Sequence, residues 1–304
     1  MMLGLTGLIF LASQAMGWIS GTVATSFSLT VLFLRSPLLQ AIGAWPTSLS
    51  GELAFKKITG MLAQDQEALP ETDVSLPADW QTLRWENLSW HYPQSGFSVG
   101  PVSARLNRGE IVFIIGANGS GKSTLSQMLT GLYASAGAGV WLDDQPLNTA
   151  ELKSLFSVVF TRPYLFKTVF VTPESGDEAL AELWLEKLGL QGKVSIENNQ
   201  LSTLDLSQGQ QKRVALLLAL AARRDILFLD EWAAEQDPQF RRYFYRELLP
   251  WFRAQGKTLM IISHDDDYFD VADRVLEMHQ GQLRELTAEQ RDNASRDVIS
   301  QLGR

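Results

Sequence analysis

Cysteine is missing from this chain of 304 residues, and histidine is scarce. Without cysteine the protein has no disulfide bond, no thiolate nucleophile and no Cys-ligated metal site. The three histidines, at positions 91, 264 and 279, are too scattered to predict a histidine metal cluster. The net charge of −8 gives no support for nucleic-acid binding, which needs clustered Lys and Arg, so nucleic acid is not an expected partner.

Charge is also missing from the first part of the chain, where Arg35 is the only charged side chain in residues 1–51. Two apolar stretches, separated by a short turn at residues 17–21, each supply the about 20 residues that a helix needs to cross a bilayer. They predict a hairpin of two transmembrane helices, with membrane lipid as a partner. Two alternatives are a secretory signal peptide, which would begin with basic residues, and a buried soluble helix pair, which seldom has such long uncharged runs.

The stretch that follows these apolar residues changes in character. Residues 47–63 place apolar side chains near helical spacing, and Lys56 and Lys57 indicate that this side lies in the cytoplasm. Pro37 is expected to kink the second apolar helix. Residues 64–82 are acidic, contain prolines and show no periodicity, which is typical of a linker.

The sequence GANGSGKST at residues 116–124 follows a short apolar run at 111–115 and precedes residues with helical spacing. It matches the phosphate loop G-x-x-x-x-G-K-[ST], whose backbone N–H groups and helix N-terminus hold phosphates. Lys122 is expected to reach the β and γ phosphates, and Ser123 to ligate Mg²⁺. The expected nucleotide-binding residues of the loop are Gly116, Asn118, Gly119, Ser120, Gly121, Lys122, Ser123 and Thr124.

A second apolar strand, at residues 226–229, ends in two adjacent carboxylates. Asp230 is expected to hold the Mg²⁺ shell, and Glu231 to orient or deprotonate the attacking water. Adjacent carboxylates also occur at helix N-termini, but the apolar strand directly upstream favours the catalytic interpretation. The two motifs together predict a P-loop ATPase or GTPase.

The stretch LSQGQ at residues 206–210 narrows the choice, because it resembles the signature of ATP-binding cassette (ABC) proteins. In that family the signature begins a helix whose N-terminus faces the γ-phosphate bound to the opposite subunit. The resemblance therefore implies a dimer that sandwiches two ATP molecules, formed with a second copy or with a related ABC half-transporter. The implied contacts to the nucleotide are Ser207, Gly209 and Gln210.

Three further ABC elements occur in the family's order. Tyr92 lies upstream of the phosphate loop, where the family places an aromatic side chain that stacks on adenine. The segment WAAEQDP resembles the D-loop and ends in Asp237, an implied nucleotide contact, and IISHDD resembles the switch that delivers His264 to the γ-phosphate. The resemblance thus implies ATP and Mg²⁺ as cofactors and Glu231, His264 and Lys122 as catalytic residues.

Two positions depart from the common ABC pattern. Thr161 stands where a Gln is usual, which puts the coupling role of that Gln in doubt, and Trp232 replaces the proline that usually follows the catalytic Glu. These departures and the sequence around them resemble the cyclic-peptide and siderophore-peptide exporters, in particular exporters of lasso-peptide microcins. The resemblance implies a multi-pass protein of the bacterial inner membrane with a cytoplasmic nucleotide domain and a peptide cargo.

The predicted fold class is α/β, a P-loop NTPase of ABC type with a helical signature subdomain near residues 150–222, preceded by two transmembrane α-helices. Exporters of this group carry further membrane helices ahead of these two, so the resemblance implies that the hairpin corresponds to the last two. The expected domains are a transmembrane part at 1–63, a linker at 64–82, the ABC nucleotide-binding domain at 83–290 and a polar tail at 291–304.

Two other functions compete with export. An ABC ATPase of translation or chromosome maintenance would carry two nucleotide domains or long coiled coils, usually with a basic surface. A truncated remnant or regulatory chain would bind ATP and block a full-length partner without transport of its own. The presence of Lys122, Glu231 and His264 argues against lost chemistry.

Overall fold

The chain divides into two compact units, Met1–Glu71 and Thr72–Arg304. The predicted tail at 291–304 and most of the predicted linker lie outside the residues that the structure describes. The structure is a computed structural model, and it describes residues 2–64, 76–77, 79–135, 137–169, 177–197, 199–287 and 290.

The first unit consists of two helices, α1 (Met2–Ala15) and α2 (Gly21–Gln64). The turn between them contains Gly17 at φ 73°, a left-handed conformation that glycine adopts readily and that commonly ends a helix. The rings of Phe10 and Phe27 lie 5.4 Å apart and bring the two helices into contact. The turn predicted at residues 17–21 is therefore present, and α2 begins at its last residue, Gly21.

Within the described residues, α2 is the one helix long and apolar enough to cross a membrane, over Gly21–Gly60. Helix α1 has 14 residues, which at 1.5 Å per residue is about 21 Å, against a bilayer core of about 30 Å. The described residues thus contain one such helix where two were expected. The connecting helix expected at 47–63 is continuous with α2, which contains both Pro37 and Pro46 without ending.

The second unit alternates strands and helices in the way that is typical of an α/β domain. Its elements are β1 (Thr82–His91), β2 (Ser98–Asn107), β3 (Ile111–Ile115), α3 (Lys122–Leu129), β4 (Gly139–Leu142), β5 (Gln145–Pro146), α4 (Thr149–Leu155), β6 (Phe156–Val159), α5 (Asp177–Lys187), β7 (Ile196–Glu197), β8 (Gln200–Leu201), α6 (Gln208–Ala221), β9 (Ile226–Asp230), α7 (Pro238–Tyr243), α8 (Leu249–Ala254), β10 (Thr258–Ile262), β11 (Arg274–His279) and β12 (Gln282–Glu285).

The core of this unit is a six-stranded sheet in the order β12-β11-β3-β10-β9-β6. All neighbours pair in parallel except β12, which is antiparallel to β11. Every residue of β3, β9 and β10 is buried, which explains why all of them are apolar except Thr258 and Asp230. Because parallel strands share the direction of their carboxyl ends, the phosphate loop, Asp230 and the residues after β10 meet at one edge of the sheet.

Apolar side chains cover both faces of this sheet. Alternate residues of β3 point to opposite sides, so that Ile111 and Phe113 join one buried cluster while Val112 and Ile114 join the other. The first cluster includes the apolar side of α6. The second includes α3 and a four-stranded antiparallel sheet in the order β2-β1-β4-β5.

The helical insertion begins later than the sequence predicted. Residues 156–159 were assigned to the insertion near 150–222, but they form β6, which pairs in parallel with β9 as the edge strand of the core sheet. A stretch of four residues, FSVV, is too short for its periodicity to separate a strand from a helix. The remaining insertion contains α5, the small β7–β8 hairpin and the signature helix α6.

Candidate active site

Three glycines shape the phosphate loop between β3 and α3. Gly116, Gly119 and Gly121 have φ angles of 144°, 78° and 106°, which favour residues without a Cβ. A Cβ on Gly116 would lie 2.3 Å from the carbonyl oxygen of Met278, and one on Gly121 would lie 2.8 Å from a methyl group of Val99. The loop conformation therefore depends on these glycines through both backbone freedom and close packing.

Lys122, the first residue of α3, is buried inside this loop. Its Nζ donates hydrogen bonds to the carbonyl oxygens of Gly116 at 2.8 Å and Ala117 at 3.2 Å. Burial lowers the pKa of the Lys122 ammonium, and the carboxylates of Glu231 and Asp230 oppose that effect. The structure thus places a partly desolvated cation between the phosphate loop and the two carboxylates.

The rest of the loop fits a polyphosphate. The hydroxyl of Ser120 is buried and has no hydrogen-bond partner among the described residues, which is unusual for a buried polar group. Asn118, Gly119 and Ser123 are exposed on the loop. Since phosphate oxygens accept hydrogen bonds from hydroxyls and backbone N–H groups, these residues and the lysine form a suitable donor set.

Asp230 ends β9 and is 4% exposed. Burial raises the pKa of its carboxyl group, while a hydrogen bond with the side chain of Thr161 and the charges of Lys122 and Lys212 act against that rise. The described residues contain no group of three or more His, Cys, Asp or Glu side chains that could hold a metal ion. An Asp carboxylate with the hydroxyl of Ser123 fits Mg²⁺, which commonly completes its shell with water and substrate phosphate.

Glu231 lies next to Asp230 in a left-handed backbone conformation, with φ 49° and ψ 36°. Its N–H donates to the carbonyl oxygen of Ile262 at the end of β10, 3.0 Å away. Its Oε1 lies 3.1 Å from Nε2 of His264, and both side chains remain partly exposed. Such strained conformations cluster at functional sites, and here the strain accompanies a carboxylate paired with the histidine of the predicted switch.

Tyr92 lies beside the start of α3. Its hydroxyl is 3.2 Å from the hydroxyl of Thr124, within the phosphate-loop motif. Its ring meets Trp90 and Tyr133 edge-on, and those two rings stack with centroids 4.1 Å apart. A hydrogen bond with Tyr92 raises the pKa of Tyr133. Sequence reasoning missed Trp90 and Tyr133, although a Trp two residues before Tyr92 was a readable signal.

The signature residues begin α6 and have local partners. Ser207 and Gln210 form a capping box, in which each side chain accepts a hydrogen bond from the other's backbone N–H. The carbonyl oxygen of Gly209 accepts a hydrogen bond of 3.1 Å from Gln236, and a Cβ at Gly209 would lie 3.1 Å from the carbonyl oxygen of Glu235. The side chain of Ser207 is exposed, so the N-terminus of this helix is open to a ligand.

Asp237 also has a structural role of its own. It caps α7 by accepting a hydrogen bond of 2.8 Å from the N–H of Phe240, and it forms an ion pair of 3.0 Å with Arg213 of the signature helix. The Phe240 N–H is the main cause of the lowered pKa of this carboxyl group. Sequence reasoning missed Arg213 and Gln236, which join the segment before α7 to α6.

Short contacts arrange the expected site residues in two groups. The first group contains the phosphate loop with Tyr92, Asp230, Glu231 and His264, linked by hydrogen bonds and by charge. The second contains the signature residues and the segment that ends in Asp237. One chain thus presents a phosphate loop with a carboxylate pair, and separately an exposed helix N-terminus.

Replacing Thr161 with glutamine is expected to leave the ATP hydrolysis rate within about threefold, because an amide also donates a hydrogen bond to Asp230. Thr161→Val keeps the shape and removes the hydroxyl, so it is expected to lose about three- to tenfold in turnover, the value of one such bond. Phosphate release by both variants measures this. An inactive Thr161→Gln would show that the hydroxyl has a role that an amide cannot fill.

Comparison with known proteins agrees with this geometry. Residues 99–234 match the family described as ABC transporter. The chain is 36% identical over 297 residues to ATP-binding protein SyrD of Pseudomonas syringae pv. syringae, with 91% of this chain and 52% of that protein covered, so it spans about half the length of that relative. It is 30% identical over 233 residues to energy-coupling factor transporter ATP-binding protein EcfA1 of Streptococcus pneumoniae, with 72% and 84% covered.

Solved structures show the same architecture. The structure of cbiO1 from Clostridium perfringens, described as part of the ABC transporter complex cbiONQ, superposes with a TM-score of 0.59 and 26% sequence identity. The superposition covers 74% of this chain and 95% of that one.

Proposed function

Since this chain belongs to the ABC transporter family and carries its ATPase domain, we propose that it is the ATP-hydrolysing subunit of an exporter with a peptide-type cargo. The observation that carries the hydrolytic part is the contact between Glu231 and His264, 3.1 Å apart, at the sheet edge that also holds Lys122. Hydrolysis of a γ-phosphate by water requires three kinds of group at one place. They are a carboxylate, an imidazole and an ammonium that binds phosphate.

ATP is the substrate in this proposal. The loop N–H groups and Lys122 bind the phosphates and balance their charge, which is where most of the catalysis of phosphoryl transfer arises. Glu231 accepts a proton from the attacking water. The water oxygen bonds to the γ-phosphorus as the bond between that phosphorus and the ADP oxygen breaks. His264 orients Glu231 and the γ-phosphate. Ser123 and Asp230 would hold Mg²⁺, which would neutralise part of the charge on the phosphate oxygens when bound.

The signature residues support a dimeric enzyme. Ser207 and Gly209 lie at the N-terminus of a helix of 14 residues, whose partial positive charge attracts anions. Their local partners belong to α6 and to the segment before α7, not to the phosphate loop of the same chain. A second copy, or a related half-transporter, would place its phosphate loop against this helix. With two-fold symmetry the same contact occurs twice, so that both ATP sites of the dimer are completed.

The first unit supports a membrane attachment. Helix α2 exposes large apolar side chains along its length, among them Phe33, Ile42 and Trp45, and lipid is the solvent that such a surface requires. Lys56 and Lys57 follow this stretch and are expected to mark the cytoplasmic side. The finer proposal is a two-helix hairpin in the bacterial inner membrane, supported by the contact between Phe10 and Phe27.

The cargo is proposed from resemblance. Thr161 and Trp232, which stand in place of the usual Gln and Pro, are typical of exporters of cyclic or modified peptides. In the structure both positions are next to the hydrolytic centre, Thr161 through its hydrogen bond with Asp230 and Trp232 as the residue after Glu231.

The loop between β6 and α5 exposes an aromatic pair, Tyr164 and Phe166, with rings 5.0 Å apart. This surface is suited to docking a membrane component.

The test of this proposal is ATP hydrolysis by the purified chain in lipid vesicles, with and without a cyclic peptide. We expect Mg²⁺-dependent phosphate release, its loss in Asp230→Asn, and stimulation by the cyclic peptide but not by its linear form. We also expect the chain to stay in membranes washed with alkaline carbonate. A chain that the wash removes and that hydrolyses ATP without any response to peptide would favour an ABC ATPase without transport.

A further inference from the structure

Lys212 is a buried lysine that the proposed hydrolysis does not use. It lies in α6, five residues after Ser207 in sequence, and only 1% of its surface is exposed. Fully buried lysines are rare unless they are paired. Its Nζ donates a hydrogen bond of 2.9 Å to the carbonyl oxygen of Glu231 and lies 3.6 Å from a carboxylate oxygen of Glu235.

The bond from Lys212 completes the restraints on Glu231. The Glu231 N–H is held by Ile262, its side chain meets His264, and its carbonyl oxygen is held by the buried ammonium. A left-handed conformation at a non-glycine residue is unfavourable and persists only where the surroundings fix it. The contact with Lys212 therefore bears directly on where the Glu231 carboxylate points.

A second contact joins the same two segments. The indole Nε1 of Trp232 donates a hydrogen bond of 2.7 Å to the carbonyl oxygen of Lys212. Trp232 is 1% exposed, and its ring lies 4.4 Å from that of Phe244. The backbone of α6 and the residues after β9 are thus fastened to each other in both directions, by a side chain from each segment.

We infer that Lys212 is a positioning residue for Glu231. It links Glu231, the proposed base of one ATP site, to the signature helix α6, which contacts the other ATP site of the dimer. This inference rests on the proposed function. In the proposed dimer, Ser207 meets the nucleotide held by the partner, whereas Glu231 acts on the nucleotide of its own subunit. Because Lys212 lies in the helix that Ser207 begins, docking of that helix on the partner fixes the position of Glu231.

Stability alone does not explain this lysine. Taking an ammonium out of water is unfavourable, and removing one partner of an ion pair is strongly destabilising where it leaves the other charge buried. Glu235 is 41% exposed at its side chain, so water can solvate it when the lysine is removed. Substitution by methionine should therefore affect hydrolysis much more than folding.

The experiment compares Lys212→Met with Lys257→Met. Lys257 also donates to a backbone carbonyl oxygen, that of Arg224, but it precedes β10 and has no contact with Glu231. We expect Lys212→Met to lower kcat about tenfold while the Kd for ATP stays within about twofold and the Tm matches the control. Lys212→Gln keeps an N–H donor on a shorter side chain and should fall between wild type and Lys212→Met.

Hydrogen exchange of the nucleotide-free chain supplies a readout that does not depend on turnover. Amides of residues 231–236 are expected to exchange faster in Lys212→Met than in Lys257→Met, with the other segments unchanged. Equal kcat in the two methionine variants, or a loss of ATP affinity and Tm in parallel with kcat, would overturn the inference. A wild-type chain without turnover would instead contradict the proposed function, and the exchange data would still decide whether Lys212 restrains Glu231.

Discussion

Replacing Glu231 with glutamine is expected to lower steady-state ATP turnover by about a hundredfold or more, the usual value of a general base. Glutamine keeps the shape of the side chain and a hydrogen bond to His264, but its amide does not accept the proton of the attacking water. ATP affinity should remain near that of the wild type, because the proposed phosphate contacts, Lys122 and the loop, are unchanged in this variant. The variant is therefore expected to accumulate as an ATP-bound dimer.

Two measurements check this expectation. Phosphate release gives kcat, and light scattering on a sizing column with Mg²⁺ and ATP gives the mass of the complex. Glu247→Gln is the matched control, since this carboxylate is exposed and lies in the helical turn between α7 and α8. Normal turnover in Glu231→Gln would move the base to another residue, and a monomer with bound ATP would contradict the proposed sandwich.

Replacing Lys122 with alanine is expected to weaken ATP binding by about a hundredfold, or about 3 kcal/mol, the upper range for hydrogen bonds to a charged group. In the structure the ammonium is buried and bonds to two loop carbonyl oxygens. Phosphate oxygens are better partners for it because they carry charge. Alanine removes this cation and leaves Asp230 and Glu231 without a neighbouring positive charge in the loop.

Titration with a fluorescent ATP analogue measures the affinity of Lys122→Ala directly. Lys153→Ala is a suitable control, because this exposed lysine lies on α4 and tests the effect of losing one surface charge. Circular dichroism confirms that both variants fold. Unchanged affinity in Lys122→Ala would show that residues 116–124 do not bind the phosphates of ATP.

Much of the hydrolytic centre could be predicted because its signals are local. The apolar sequence of β3, the glycines after it and Lys122 stand next to each other in the chain, and the same holds for β9 with Asp230 and Glu231. The pairing of Ser207 with Gln210 also follows a sequence pattern, since capping boxes carry Ser and Gln three positions apart. The sequence predicted these positions; their roles in catalysis stay predictions.

Contacts between distant segments could not be read from the sequence. The burial of Lys212 depends on the carbonyl of Glu231, 19 residues further on. The hydrogen bond between Thr161 and Asp230 depends on β6 lying beside β9. The short strand β6 itself was missed, because the pairing that makes it a strand lies far along the chain. Periodicity reports what is near in sequence, and these contacts are long-range.

The central claim is that two chains share each ATP site, and mixing two inactive variants tests it most directly. Ser207→Ala keeps its phosphate loop but lacks a working signature, and Lys122→Ala keeps its signature but lacks a working loop. Each variant alone should be inactive, because both sites of its dimer lack one component. A mixed dimer has one intact site, which combines the phosphate loop of the Ser207→Ala chain with the signature of the Lys122→Ala chain. In an equal mixture half of the dimers are mixed, so turnover should recover to at most about a quarter of wild type. A mixture no more active than either variant alone, under conditions where wild type hydrolyses ATP, would contradict the shared site.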